Sequence, residues 1–282
     1  MIRFGPSGNS DSFYSEGNKG TRQAAEWIAA MGLNAYEYPF GRGVRMSAEA
    51  AEEIRREMAA RDIAVSAHAP YFINLANPDP EKREASFRYI LETAEAVRLL
   101  GGDRIVVHTG AVMKLEREEA LRGCREGLRE ALHRLEDAGL GDTKLCIETM
   151  GKRSQIGDDA EIFTLCAELE PLVPCVDFAH LHALTGGGLR GTEDFAPILD
   201  RAERMLGRER ASRMHIHFST IEYTATGEKR HRTFAEAEYG PRFEQLAPLL
   251  KEREYGPVVI CESKGTMAED AAEMKRIWNE LK

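Results

Sequence analysis

No run of about 18 consecutive apolar residues occurs in the 282-residue chain, so no membrane-spanning helix is expected. A secretory leader is not expected either. The start, Met1-Ile2-Arg3-Phe4-Gly5-Pro6, has neither a charged region nor an apolar stretch and reads as a first strand. Five cysteines, an odd number with no Cys-x-x-Cys pair, argue against a disulfide framework and for a reduced, cytoplasmic setting. Positive charge is not in excess either. The net charge of −9 by itself argues against a non-specific nucleic-acid binder. That exclusion is a weak one, because helices such as 115–137 carry much of the acid and a cluster of divalent metals would reverse the field locally. Linkers and low-complexity tracts are also missing, so one domain, 1–282, is the simplest expectation.

The apolar content, 43%, is ordinary for a packed core, and its arrangement is regular. Short apolar runs alternate with amphipathic stretches. Strands are expected at Ile2–Pro6, Asn34–Phe40, Ile63–Ala67, Arg104–His108, Lys144–Glu148, Val173–Asp177, Arg213–Phe218 and Pro257–Glu262. Helices are expected at Thr21–Met31, from the Ser47 cap to Ala60, Pro80–Leu100, Arg117–Asp137, Asp159–Leu169, Glu193–Leu206, Pro241–Glu252 and Met267–Leu281. Runs such as Ile105-Val106-Val107 suit strands buried on both faces, and glycines fall between helix ends and the next strands. Eight strand-then-helix units predict an α/β fold, a single (β/α)8 TIM barrel.

Such barrels carry their chemistry at the carboxyl ends of the strands. Here the third strand leads into His68, the fourth ends at His108 and the fifth at Glu148. The sixth ends at Asp177, with His180 and His182 just beyond. The seventh carries His215 and His217, and the eighth ends at Glu262. One histidine at a strand end is commonly structural; six consecutive strand ends of metal-ligating type point to a metal site. Side-chain alternation puts His215 and His217 on one face, Cys146 with Glu148, and Cys175 with Asp177. The two cysteines are then expected one layer deeper as small core residues. Imidazole plus carboxylate suits Zn²⁺, and also Mn²⁺ or Fe²⁺. The donors outnumber the needs of one tetrahedral ion, so two or more ions sharing a carboxylate are expected, an arrangement typical of phosphate-ester chemistry.

The motifs Ser66-Ala67-His68-Ala69-Pro70-Tyr71-Phe72-Ile73-Asn74-Leu75, Val107-His108-Thr109-Gly110, Ile147-Glu148-Thr149, Val176-Asp177-Phe178-Ala179-His180, Met214-His215-Ile216-His217, Arg230-His231 and Cys261-Glu262 together resemble the endonuclease IV family, over essentially the whole chain. The resemblance implies zinc-dependent hydrolysis of the phosphodiester 5′ to an abasic site in DNA, as in base excision repair. It implies three zinc ions: His68 and His108 on the first, Glu148 bridging to the second, Asp177, His215 and Glu262 completing the second, and His180 and His231 on the third. It implies further that Tyr71 and Phe72 enter the duplex, and that Glu148 orients or deprotonates the nucleophile. Arg42, Arg45 and Lys264 are candidate DNA contacts. The partner implied is DNA containing abasic sites; no protein partner and no membrane are.

Two departures from that pattern stand out. Lys229 occupies the place of the family's third-metal aspartate, leaving the adjacent Glu228, or His217, to substitute. Ser263-Lys264 follows Glu262 where the family has Thr-Pro. The alternative is a single-metal sugar isomerase or epimerase of the xylose-isomerase-like barrels, which the set Glu148, Asp177, His215 and Glu262 also resembles, with two glutamates transferring protons. His68, His108, His180 and His231 discriminate between the two readings.

Overall fold

The apolar runs do form strands, and each is flanked by a helix that buries its apolar side against the sheet. A computed structural model describes residues 1–281. The strands are β1 (Arg3–Pro6), β2 (Ala35–Pro39), β3 (Ala64–His68), β4 (Arg104–Val107), β5 (Lys144–Glu148), β6 (Leu172–Asp177), β7 (His215–Phe218), β8 (Thr220–Thr224), β9 (Gly227–Arg232) and β10 (Val258–Cys261). Eight of them run parallel in the order β1, β10, β7, β6, β5, β4, β3, β2. The two edge strands meet where Ser7 bridges Glu37 and the Gly8 N–H donates to the Glu37 carbonyl at 2.9 Å. A Cβ on Gly5 would lie 1.8 Å from the Ala35 carbonyl oxygen, so only glycine lets β1 and β2 approach closely enough to meet. This is the expected (β/α)8 TIM barrel.

Most of the apolar core lies between the barrel and its helices, and it includes Cys261, Cys124 and Cys166. Inside the barrel, Val106, Cys146 and Cys175 form a small separate cluster, the deep layer that alternation predicted. Ser47 caps its helix by accepting from the Ala50 N–H at 3.2 Å.

The main departure follows β7. Where the sequence suggested a long loop before Pro241, β8 and β9 form an antiparallel hairpin outside the barrel. Its polar residues bury no continuous apolar face, so periodicity gives no strand signal there. Glu222 of β8 binds it together, receiving Lys229, Arg230 and Arg232 from β9. A second departure is a helix, Phe178–Leu184, that begins directly after β6. The first expected helix is instead a 3₁₀ turn, Thr21–Gln23, leading into Ala24–Ala30. No helix among the described residues is long and apolar enough to cross a membrane.

Candidate metal centre

Register decides which strand-end side chains meet. Glu148 pairs with Cys175, Cys175 with His215, and Asp177 with His217. His217 is therefore level with Asp177, and His215 lies one layer deeper, level with the cysteine. The resemblance had put His215 with Asp177 and Glu262; the structure places His217 there instead. Both histidines share the inward face, so alternation could not separate them, whereas the register does.

Glu148 is the hub. Its Oε2 lies 3.0 Å from His108 Nε2 and 3.3 Å from His68 Nε2. Its Oε1 lies 3.0 Å from His217 Nδ1. Two of the histidine rings are locked by backbone. His68 Nδ1–H donates to the Ala69 carbonyl at 2.8 Å and His180 Nδ1–H to the Thr149 carbonyl at 2.9 Å. Each then turns an Nε2 lone pair toward the carboxylates, the arrangement a metal-ligating imidazole needs. Asp177 caps the helix Phe178–Leu184, accepting from the His180 N–H at 2.8 Å through Oδ1. Its Oδ2 is buried and without a hydrogen-bond partner.

Five groups bring one donor atom per residue within 4.8 Å of one another: His68, His108 and Glu148; Glu148, Asp177, His217 and Glu262; Asp177, His180 and His231; His68, His217 and Glu262; and, one layer deeper, Cys175, His215 and His217. Glu228 adds a carboxylate 3.5 Å from His180 Nε2, and a Cβ on Gly151 would meet the Glu228 Cβ at 2.7 Å, so the glycine makes room for that approach. Lys229 points away to Glu222. Three carboxylates, one of them with an orphaned buried oxygen, converge with imidazoles whose lone pairs face inward, and this donor set fits divalent cations.

The electrostatics agree. Burial would raise the Glu148 carboxyl, but the His217 charge and the histidine hydrogen bonds hold it well below the usual range. Glu262 is likewise held down to about 2 by His217 and His231 against the effect of burial. Burial would lower His68 and His180, yet the surrounding carboxylates, Glu148 for the first and Asp177 for the second, raise both to about 9. For His215 burial wins and the ring falls to about 4. Asp177 is raised by burial.

The groups open into a cavity of about 660 Å³ whose rim includes Tyr71, Lys152, Arg230 and Lys264. Tyr71 and Phe72 are exposed at 57% and 62%, and the Tyr71 ring stands 5.6 Å from that of His108. Arg42 and Arg45 lie beyond β2 and do not line the cavity. His182 is also apart. It accepts from the Leu189 N–H at 3.2 Å and packs against Tyr223. The sequence reading missed Glu37, which is fully buried beneath His217. Its signal was there: a lone carboxylate between Tyr36 and Tyr38 in a buried strand.

The description "xylose isomerase-like TIM barrel" matches residues 25–279. The chain belongs to that family. An uncharacterized protein of Methanocaldococcus jannaschii is 34% identical over 259 residues, 92% of each chain. A probable endonuclease 4 of Shouchella clausii is 28% identical over 236 residues, 79% of this chain and 78% of that one. Among solved structures, endonuclease IV from Thermus thermophilus superposes with a TM-score of 0.70 at 23% identity, covering 98% of this chain and 97% of that one. A D-tagatose 3-epimerase-like protein reaches 0.72 at 19% identity, over 99% and 96%. The barrel fold is thus shared with both an endonuclease and an epimerase-like protein, and the side chains at the rim must separate the two readings.

Proposed function

We propose that this family member is a metal-dependent phosphodiesterase acting on DNA, cutting 5′ to abasic sites. The observation that carries the reading is the pair of donor groups flanking the Glu148–Asp177–His217–Glu262 set: His68 with His108 on one side, His180 with His231 on the other. A one-metal isomerase has no use for either. The endonuclease 4 relatives support the same reading.

His68, His108 and Glu148 would hold one ion; Glu148, Asp177, His217 and Glu262 a second; Asp177, His180 and His231, with Glu228 alongside, a third. Bound there, zinc, manganese or iron would supply Lewis-acid polarisation of the phosphate and a lowered water pKa. The chain does the rest. Glu148 and Glu262 stay ionised at neutral pH and line the cavity as proton acceptors. Lys152, Arg230 and Lys264 at the rim offset the charge of flanking phosphates. Abasic DNA lacks one base, which makes the gap cheap to open. Tyr71 and Phe72, already exposed, would fill it by stacking.

The second reading is a single-metal sugar epimerase, favoured by one observation: the central four-residue set by itself suffices for one ion with two glutamates. The test is cleavage of a synthetic duplex bearing one abasic site, run beside a panel of ketoses. Incision leaving a 3′-hydroxyl and a 5′-deoxyribose phosphate is expected; ketose epimerisation without incision would overturn the reading.

A further inference from the structure

The sequence reading put nothing beneath the metal centre except small core residues. The structure puts a carboxylate there. Glu37 of β2 is fully buried, and a lone charge at such depth is tolerated only with partners. Its Oε2 accepts from Ser66 Oγ at 2.8 Å and from His215 Nε2–H at 3.1 Å. Its Oε1 lies 3.0 Å from His217 Nε2, near enough to pair but not aligned as a hydrogen bond, so both buried atoms stand without a hydrogen-bond partner.

His217 thus sits between two sets of acceptors. Nδ1 faces Glu148 at 3.0 Å and Glu262 at 3.5 Å, and Nε2 faces Glu37. A neutral imidazole has one donor and one acceptor nitrogen, and the hydrogen bond made by one sets the role of the other. If Nδ1 is to offer its lone pair upward, the proton must sit on Nε2, where the neighbouring acceptor is Glu37. His68 and His180 have their orientation set by backbone carbonyls and point Nε2 inward. His217 is turned the other way round, and its second nitrogen meets a carboxylate instead of a carbonyl.

We propose that Glu37 is a positioning residue for the metal centre: held by Ser66 and His215, it accepts the Nε2 proton of His217 and so directs that ring's Nδ1 at Glu148, Asp177 and Glu262. The inference rests on the reading of those residues as metal ligands. It gives His215 a role as well, as a support for Glu37 that lies one layer below the ligands.

Glu37→Gln tests it, since the amide keeps the size of the side chain but replaces the anionic acceptor. Zinc is titrated into metal-free wild type and variant against a competing chelator, with bound zinc counted by mass spectrometry. Cobalt(II) titration followed by visible absorption gives the signature of each site. Supporting partners of this kind alter metal affinity by about 10–100-fold. The expected result is that one ion weakens by that factor while the affinity at His68, His108 and Glu148 holds. Glu37→Asp, which keeps the charge but withdraws it by one methylene, should weaken the same ion selectively and serves if the glutamine variant does not fold. Wild-type affinity at every site, or an equal loss at all of them, would overturn the inference while leaving the metal centre intact. A wild type that binds a single ion or none would overturn the metal reading, and this inference with it.

Discussion

Asp177→Asn should separate metal binding from folding. Asp177 has two jobs on its two oxygens. Oδ1 accepts from the His180 N–H at 2.8 Å and caps a helix; Oδ2 is buried with no hydrogen-bond partner. Asparagine caps about as well as aspartate, so the first job survives to within a few tenths of a kcal/mol. The second oxygen becomes an amide N–H that faces the carboxylates of Glu148 and Glu262 instead of repelling them. A buried unsatisfied polar group costs about 1–3 kcal/mol, whereas the attraction of Asp177 for His180 stabilises only while that ring is charged, so at pH 9.5 the metal-free variant should be no less stable than wild type, with a gain of about 1 kcal/mol. For a chain of this size that is roughly 2–4 °C in melting temperature. With metal the order reverses. Asp177 belongs to two of the donor groups, and its charge is lost from both. Metal-induced stabilisation should shrink, and affinity at those groups should fall by at least about 100-fold, the upper end seen for changes outside the ligand shell. Differential scanning fluorimetry with and without added zinc, together with metal content, reads both effects. A metal-free variant several degrees less stable than wild type that still binds the full number of ions would refute the reasoning.

Other expectations follow from particular contacts. Replacing Tyr71 or Phe72 by alanine should leave melting temperature unchanged but cost about 1–3 kcal/mol of affinity for abasic duplex per ring; unchanged affinity in a binding titration would contradict the stacking role. In the metal-free protein, His68 and His180 are raised to about 9 from an ordinary value near 6.5. Their stabilising pairing is fully present below about pH 6.5 and lost as pH rises through about 9. Metal-free protein should therefore melt lower at pH 9.5 than at pH 6, while metal affinity climbs over the same interval because ions displace those protons; a melting temperature that rises with pH would count against it. Gly5→Ala would push a Cβ to 1.8 Å from the Ala35 carbonyl oxygen. Its cost in urea unfolding should reach at least the upper end of overpacking, about 3 kcal/mol, and near-wild-type stability would show that the β1–β2 seam can widen.

Much of this was legible in the residues. Eight apolar runs with helices between them gave the barrel, and the strand ends His68, His108, Glu148, Asp177 and Glu262 do converge. What escaped did so for physical reasons. A period of two cannot tell His215 from His217, since both face inward; that choice belongs to the β6–β7 register. The β8–β9 hairpin is held by ion pairs to Glu222 and has little apolar patterning to reveal it. Glu37 is far in sequence from His217, and its importance comes from contacts that only closure of the barrel creates.

The central claim is that several cations cluster on Glu148. Anomalous diffraction from metal-loaded crystals, collected at the metal's absorption edge, tests it most directly. The account predicts separate peaks among His68, His108 and Glu148 and among Glu148, Asp177, His217 and Glu262, with a further one near His180 and His231. A solitary peak in the central group, with His68 and His108 bare, would contradict it.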